Sequence, residues 1–155
     1  MKILVIEDTE LHVEAAAEQL VDHTLSFASS YEEGVQYLDG KKFDVVLTDL
    51  LMAKGGNSVM GAQGMKYIFD LLPYGFPLIF LAAKKRVPYI GLVTDVNHHD
   101  HPMSACIDPL SSAYWSDGDS QRSLLRINES IVGIFHAPFI DQKKDWRKVL
   151  EALLQ

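Results

Sequence analysis

Three acidic residues stand where two apolar runs end. Ile3-Leu4-Val5-Ile6 runs straight into Glu7-Asp8, and Phe43-Asp44-Val45-Val46-Leu47-Thr48 runs into Asp49. Short apolar runs bounded by polar residues read as strands covered on both faces, the kind found inside a parallel sheet. If the two strands are neighbours, three carboxylates meet at the carboxyl edge of that sheet, where open α/β folds bind their ligands. Carboxylates so close repel one another, so the cluster needs a proton or a cation. A hard divalent ion with oxygen ligands, magnesium foremost, meets that need. The other reading is that Glu7, Asp8 and Asp49 are separate, solvated helix-start and turn residues.

A second group with chemical potential is Asp95-Val96-Asn97-His98-His99-Asp100-His101-Pro102, which gathers three of the chain's six histidines. His99 and His101 share a side of an extended segment and could chelate zinc or another transition metal with Asp100 or Asp95. The competing reading is a polar loop whose histidines cap helices and bond backbone. Cys106 is the one cysteine, so no four-ligand set of recognised spacing exists.

The elements that must position these residues alternate strand and helix along the chain. Thr9 can cap a helix with an apolar stripe of Val13, Ala16, Ala17 and Leu20. Thr24-Leu25-Ser26-Phe27-Ala28 alternates as a half-exposed edge strand does. Ser30 and Glu33 have capping-box spacing, opening a helix through Val35 and Leu38 that stops at Gly40. This order implies a parallel, doubly wound sheet with helices on both faces. Asp49 is followed by a glycine-rich insertion from Ala53 to Gly64, a lid or a plain loop elongation, without the Lys-Ser/Thr pair of a phosphate loop. Met65, Ile68, Phe69 and Leu72 then recur as a helical stripe, ended by Pro73-Tyr74-Gly75.

With 155 residues the chain is expected to form one domain, 1–155, with insertions at about 53–76 and 95–130. No stretch approaches the roughly 20 apolar residues of a membrane span. Met1-Lys2-Ile3 enters a strand at once, leaving no room for a signal peptide. A lone cysteine suits a reducing, cytoplasmic setting, and a formal charge of −7 argues against general nucleic-acid binding.

Ile3-Leu4-Val5-Ile6-Glu7-Asp8 and Asp44-Val45-Val46-Leu47-Thr48-Asp49-Leu50-Leu51-Met52 resemble the first and third strands of a response-regulator receiver domain. His136-Ala137-Pro138-Phe139 and the helix carrying Trp146, Val149, Leu150 and Leu153 resemble that family's closing strand, Lys-Pro turn and last helix. The resemblance implies a flavodoxin-like, five-stranded sheet and a phosphorelay role. Asp49 would accept a phosphoryl group, and Glu7, Asp8, Asp49 and the Leu51 carbonyl would hold magnesium. A histidine kinase or phosphotransfer protein would supply the group, and a downstream protein partner would read it. With no effector segment after Leu154, a stand-alone module is expected, neither an enzyme nor a nucleic-acid or membrane binder.

The family also uses a hydroxyl at the end of the fourth strand and a lysine at the end of the fifth. The hydroxyl depends on the register chosen for the fourth strand. Pro77–Leu81 as the strand would leave Ala82 in the hydroxyl position. A helix opened by Pro77 and closed by Lys84-Lys85-Arg86 would leave Tyr89–Val93 as the strand and Thr94 as the hydroxyl, the preferred reading. The lysine position is Ala137, so the lysine is expected to be missing, with His136 as a substitute or as a residue packed under the last helix. Lys143 and Lys144 read as the solvated face of that helix, with arching back toward the crevice as the alternative for either. Hydrogen bonds from His98 or His101 to the phosphoryl group would offset the loss in part.

Tyr114-Trp115 and Ser116–Ser120 read as an exposed excursion. Leu124–Ile127 and Ile131–Phe135, flanking Asn128-Glu129, read as a small hairpin that gives the last strand an antiparallel neighbour. Two other functions fit the same residues: a metal-dependent phosphohydrolase using the His98–His101 loop, and a pseudo-receiver that only binds partners.

Overall fold

The computed structural model describes residues 1–53, 60–111 and 124–155. The expected alternation is present: strand β1 (Lys2–Ile6), helix α1 (Glu10–Gln19), β2 (Thr24–Ala28), α2 (Tyr31–Gly40) and β3 (Val45–Asp49) follow with short connections. Then come α3 (Ala62–Met65), α4 (Gly75–Lys84), β4 (Tyr89–Thr94), α5 (Pro102–Cys106) and a 3-10 turn at Asp108–Leu110. The chain closes with β5 (Leu124–Ile127), β6 (Ser130–His136), β7 (Phe139–Ile140), β8 (Lys143–Lys144) and α6 (Trp146–Leu154).

The main sheet has the order β2-β1-β3-β4-β6-β5. Five of these strands run parallel, and β5 pairs antiparallel with β6 across the Asn128-Glu129 turn, so the hairpin expected before the last strand is formed. Asn128 has φ 54°, the left-handed backbone that such a tight turn demands. The parallel strands are apolar throughout because both faces are covered. On one face Ile3, Val5, Val45, Leu47, Val93 and Phe135 pack with α1 and α6. On the other, Leu4, Ile6, Val46 and Leu92 pack with α2 and α4.

The competing registers resolve in favour of a helix containing Pro77 and a fourth strand ending at Thr94. Pro77 falls in the first turn of α4, where its missing N–H is not needed. The start of α4 is pinned against the end of β3. Gly75 donates to the Leu50 carbonyl at 3.1 Å, and a Cβ on Gly75 would collide with the Asp49 carbonyl oxygen and the Leu92 side chain. Only glycine permits that approach.

Three local expectations need correction. The buried stripe of α1 is His12, Ala15, Ala16 and Leu20, while Ala17 is exposed, so the helix is rotated by about one residue relative to a count of apolar side chains alone. The stripe of Met65, Ile68, Phe69 and Leu72 forms no long helix; α3 ends at Met65 and Phe69 is 83% exposed. Thr9 occupies the N-cap of α1 but its side chain makes no cap bond, whereas Ser30 Oγ does accept from Glu33 N–H at 3.3 Å. The glycine-rich stretch Lys54–Ser58 and the Tyr114-Trp115 segment lie outside the described residues.

Candidate functional site

Parallel pairing of β1 with β3 sets Ile6 beside Thr48, so Glu7 and Asp49 leave adjacent strands at the same edge. Glu7, Asp8 and Asp49 each offer an oxygen, and these lie within 4.8 Å of one another. The convergence expected from the sequence is real, and it is largely enclosed: Glu7 and Asp49 are buried, while Asp8 is half-buried. Backbone amides orient the acids. Asp49 Oδ1 accepts from Leu50 N–H at 2.8 Å, Asp8 Oδ2 from Ala53 N–H at 3.0 Å, and Glu7 Oε1 from Thr9 N–H at 3.0 Å.

The expectation of a missing lysine is overturned by Lys144. Its side chain is wholly buried, and Nζ lies 2.6 Å from Glu7 Oε2, 3.1 Å from Asp49 Oδ1 and 3.2 Å from Asp95 Oδ1. The lysine enters from β8, after a turn through Asp141 (φ 48°) and Gln142 (φ 64°) that sends the chain back toward the crevice. Two successive left-handed residues make the tight hairpin whose twist suits its short strands. Lys144 therefore precedes the last helix instead of lying on its solvated face, and Asp145 caps that helix by accepting from Lys148 N–H at 3.0 Å. Lys143 stays half-exposed, 3.4 Å from Glu18.

Charge balance follows from this geometry. Burial would favour a neutral Lys144, but the Asp49, Glu7 and Asp95 carboxylates outweigh it and hold the ammonium above its usual range. Burial pushes the Asp49 carboxyl well up, with Glu7 and Asp95 pushing the same way and Lys144 opposing. Asp95 is the reverse case: burial would raise it, yet the Lys144 ammonium, helped by His12, keeps it below the ordinary value. Asp49 Oδ2 takes part in neither the lysine contact nor the Leu50 bond.

The remaining expected site residues are placed as follows. Thr94 ends β4, where its neighbour Val93 pairs with Asp49; Thr94 Oγ1 accepts from Val96 N–H at 3.2 Å. Leu51 is buried two residues beyond Asp49. His136 does not take the lysine's place. Phe135 points to the α1–α6 face, so strand alternation turns His136 the other way, and its Nε2 meets Asp108 Oδ1 at 2.7 Å. Asp108 Oδ2 meets His98 Nδ1 at 2.9 Å, and His98 Nε2 meets His99 Nε2 at 2.9 Å. His101 Nδ1 accepts from Met103 N–H at 3.1 Å, capping α5. The zinc site expected from His99 and His101 with Asp100 or Asp95 is not assembled. Among the described residues the only convergence of three such ligand atoms is Glu7, Asp8 and Asp49. Asp95 is engaged by Lys144, and Asp100 stays exposed.

Asp95, Thr94, Asn97, His98 and His136 border a cavity of about 180 Å³ at this edge of the sheet. Sequence reasoning missed His12 as a member of the site, preferred a solvated Lys144, and gave Asp95 only as a ligand for the histidine loop. The one available signal is the lysine pair between Pro138 and the capped last helix.

No protein-family model and no curated protein sequence matches the chain. Solved structures do. The signal receiver domain of an HD domain-containing protein from Pseudomonas fluorescens Pf-5 aligns with a TM-score of 0.56 at 17% identity, over 99% of this chain and 93% of that one. The non-phosphorylated HemR receiver domain from Leptospira biflexa gives 0.56 at 17% identity, over 99% and 94%. The response regulator protein TrrA from Thermotoga maritima, in complex with Mg2+-BeF, gives 0.53 at 16% identity, over 98% of each chain.

Proposed function

We propose, taking the receiver-domain fold as premise, that the chain is a phosphorelay module in which Asp49 accepts a phosphoryl group and Lys144 supplies the cation that receives it. One observation carries this reading: a fully buried ammonium bridges Glu7 and Asp49 at the sheet edge where those strands end. A buried lysine shared by three carboxylates is a poor stabilising device by itself, since such ions are costly to desolvate. It is a good receptor for added negative charge.

Asp49 Oδ2 is the nucleophile. It attacks the phosphorus of an acyl phosphate or a phosphohistidine; the new O–P bond forms as the donor's P–O or P–N bond breaks, and the bonding pair leaves with the donor. Lys144 lies on the Oδ1 side, placed to pair with an oxygen of the transferred group as charge builds there. The donor set of three carboxylates within 4.8 Å suits a hard divalent ion. Magnesium held by Glu7, Asp8 and Asp49, with the Leu51 carbonyl, would screen the approaching anion. Thr94 sits at the end of β4, and because its hydroxyl oxygen only accepts from Val96 N–H, the O–H can still be donated to the phosphoryl group. His136, tied to Asp108, has no part in the transfer. The donor is a histidine kinase or phosphotransfer protein, and the output is binding to a protein partner instead of turnover. The hydrolase alternative loses its basis, because the histidine loop offers no convergent ligand set among the described residues.

Intact-protein mass after incubation with acetyl phosphate and magnesium tests the reading. A single phosphoryl adduct is expected in the natural chain and not in Asp49→Ala. Equal labelling of the two would sink it.

A further inference from the structure

Lys144 is not delivered by the main sheet. It belongs to a separate two-stranded hairpin with two residues in each strand, β7 and β8. Isolated hairpins are marginal in water, so a lysine carried on one needs other groups to fix it. Helix α1 supplies them. Gln19 Nε2 donates to the Lys144 carbonyl at 3.0 Å, and Gln19 Oε1 accepts from Trp146 N–H at 2.6 Å. Two turns earlier on that helix, His12 Nδ1 accepts from the Lys144 backbone N–H at 3.3 Å.

The same imidazole reaches the lysine's other end through Asp95. With Nδ1 accepting, the proton of a neutral ring sits on Nε2, which faces Asp95 Oδ2 at 3.3 Å. Asp95 Oδ1 in turn lies 3.2 Å from Lys144 Nζ. Backbone amide, imidazole, carboxylate and ammonium thus form a closed ring that begins and ends on one residue. We infer that His12 and Asp95 are positioning residues for this site, closing a hydrogen-bonded ring that fixes both ends of Lys144 and presents its ammonium to Asp49. The inference rests on the phosphoryl-acceptor reading of Asp49.

The surroundings agree with that role. His12 is buried on a helix face otherwise lined by alanines and leucine, an unusual place for an imidazole unless it has fixed partners. Its carbonyl also takes the Trp146 Nε1–H at 2.9 Å, so the residue after the hairpin is tied to the same point of α1. Asp95 follows Thr94 at the end of β4, so the ring links α1, the fourth strand and the hairpin around Asp49. Glu7 holds the ammonium with one oxygen and takes Thr9 N–H with the other, bonding the side chain of Lys144 and not its backbone, so Glu7 alone does not set where β8 lies.

The test uses Asp95→Asn, which keeps the side chain's shape at a partly exposed position, together with His12→Gln and the double variant. Two quantities are read: the rate of phosphoryl uptake across acetyl phosphate concentrations with magnesium present, and the side-chain ammonium resonance of Lys144 by 1H–15N NMR in the absence of any donor. A buried ammonium is shielded from exchange and gives its own signal. The expected result is a saturating rate lower by roughly tenfold, against the hundredfold that a 1 Å misplacement can cause. The half-saturating donor concentration stays unchanged and the Lys144 resonance shifts or broadens. The double variant is expected to be no worse than the poorer single one, because both residues act through one ring. An unchanged rate and resonance in Asp95→Asn, or losses that multiply in the double variant, would overturn the inference. If the natural chain takes up no phosphoryl group, the functional reading falls separately, and the resonance still decides whether Asp95 and His12 hold the lysine.

Discussion

Around Lys144, three carboxylates share one ammonium; the Lys144 and Glu7 side chains are fully buried and Asp49 is nearly so, while Asp95 reaches the surface. A short way along the same sheet edge, Asp108 joins His98 and His136 with its carboxylate 37% exposed. Both clusters use one charged hub to join separate elements. At the first, removing the hub leaves the buried Glu7 and Asp49 carboxylates facing each other. At the second, solvent stands ready to replace it. What separates a candidate reaction site from a structural tie here is burial together with an unbalanced charge, and not the number of ionisable groups, since the histidine-rich loop is the more conspicuous of the two in the sequence.

The largest effect that would sharpen this contrast is at the buried hub. Lys144→Met leaves Glu7, Asp49 and Asp95 facing one another, and breaking such a buried network is expected to lower the unfolding free energy by roughly 3–5 kcal/mol. Urea titration without divalent ions would measure it. Phosphoryl uptake should fall by about a hundredfold or more, the size seen when a single charge-stabilising donor is removed. A Lys144→Met protein as stable as the natural chain would mean that the carboxylates relax apart or take up protons without penalty.

The next effect concerns the ion. If Glu7, Asp8 and Asp49 hold magnesium, the metal stabilises the native state by about 2.7 kcal/mol at a hundredfold excess over its dissociation constant. Thermal melting with and without magnesium reads this directly, and Asp8→Asn should lose most of the shift. Calcium and zinc titrations would show whether the histidine loop adds a site of its own. A zinc-specific shift removed by His99→Ala would reopen the second cluster as a metal centre.

The two clusters also show what was legible in the chain. Strands β1 and β3 were legible because burial on both faces writes a continuous apolar run, and their acidic ends follow immediately. The fourth strand and its preceding helix were legible from Pro77 and the basic stretch that closes it. The hairpin at Asn128 was legible from turn chemistry. Lys144 was not, because its contacts with Glu7 and His12 span 137 and 132 residues and no local period encodes them. His12 escaped for a related reason: a stripe counted from apolar side chains passes over a histidine that is buried because it is bonded. Phe69 failed in the opposite direction, having the spacing of a buried stripe but standing 83% exposed among the described residues.

A smaller effect separates the clusters by pH. The Lys144 ammonium has its pKa above the ordinary 10.5, so the folded state keeps a proton that the unfolded chain gives up. Its contribution is fully present below the unfolded value and is lost as pH rises through the folded one. Unfolding free energy should therefore decline with pH in the alkaline range for the natural chain, and this part of the slope should vanish in Lys144→Met. An identical alkaline slope in both proteins would mean that Lys144 is not charged and enclosed as described.

The smallest effect belongs to Asp108, where the hydrogen bond from His136, helped by His98, holds the carboxyl below its ordinary value against opposing desolvation. The sign is opposite to that of Lys144: a depressed carboxyl contributes stability above its unfolded pKa, and that contribution is lost as pH falls through the folded one. Because the carboxylate faces solvent, its ion pairs are screened and worth little. Asp108→Asn should soften the acid limb of the stability profile while leaving phosphoryl uptake and the Lys144 resonance as in the natural chain. A marked loss of uptake in Asp108→Asn would break the comparison, because it would make the histidine cluster part of the reaction site. His136, at the end of a strand that also borders the cavity beside Asp95, would then be the residue through which the two are joined.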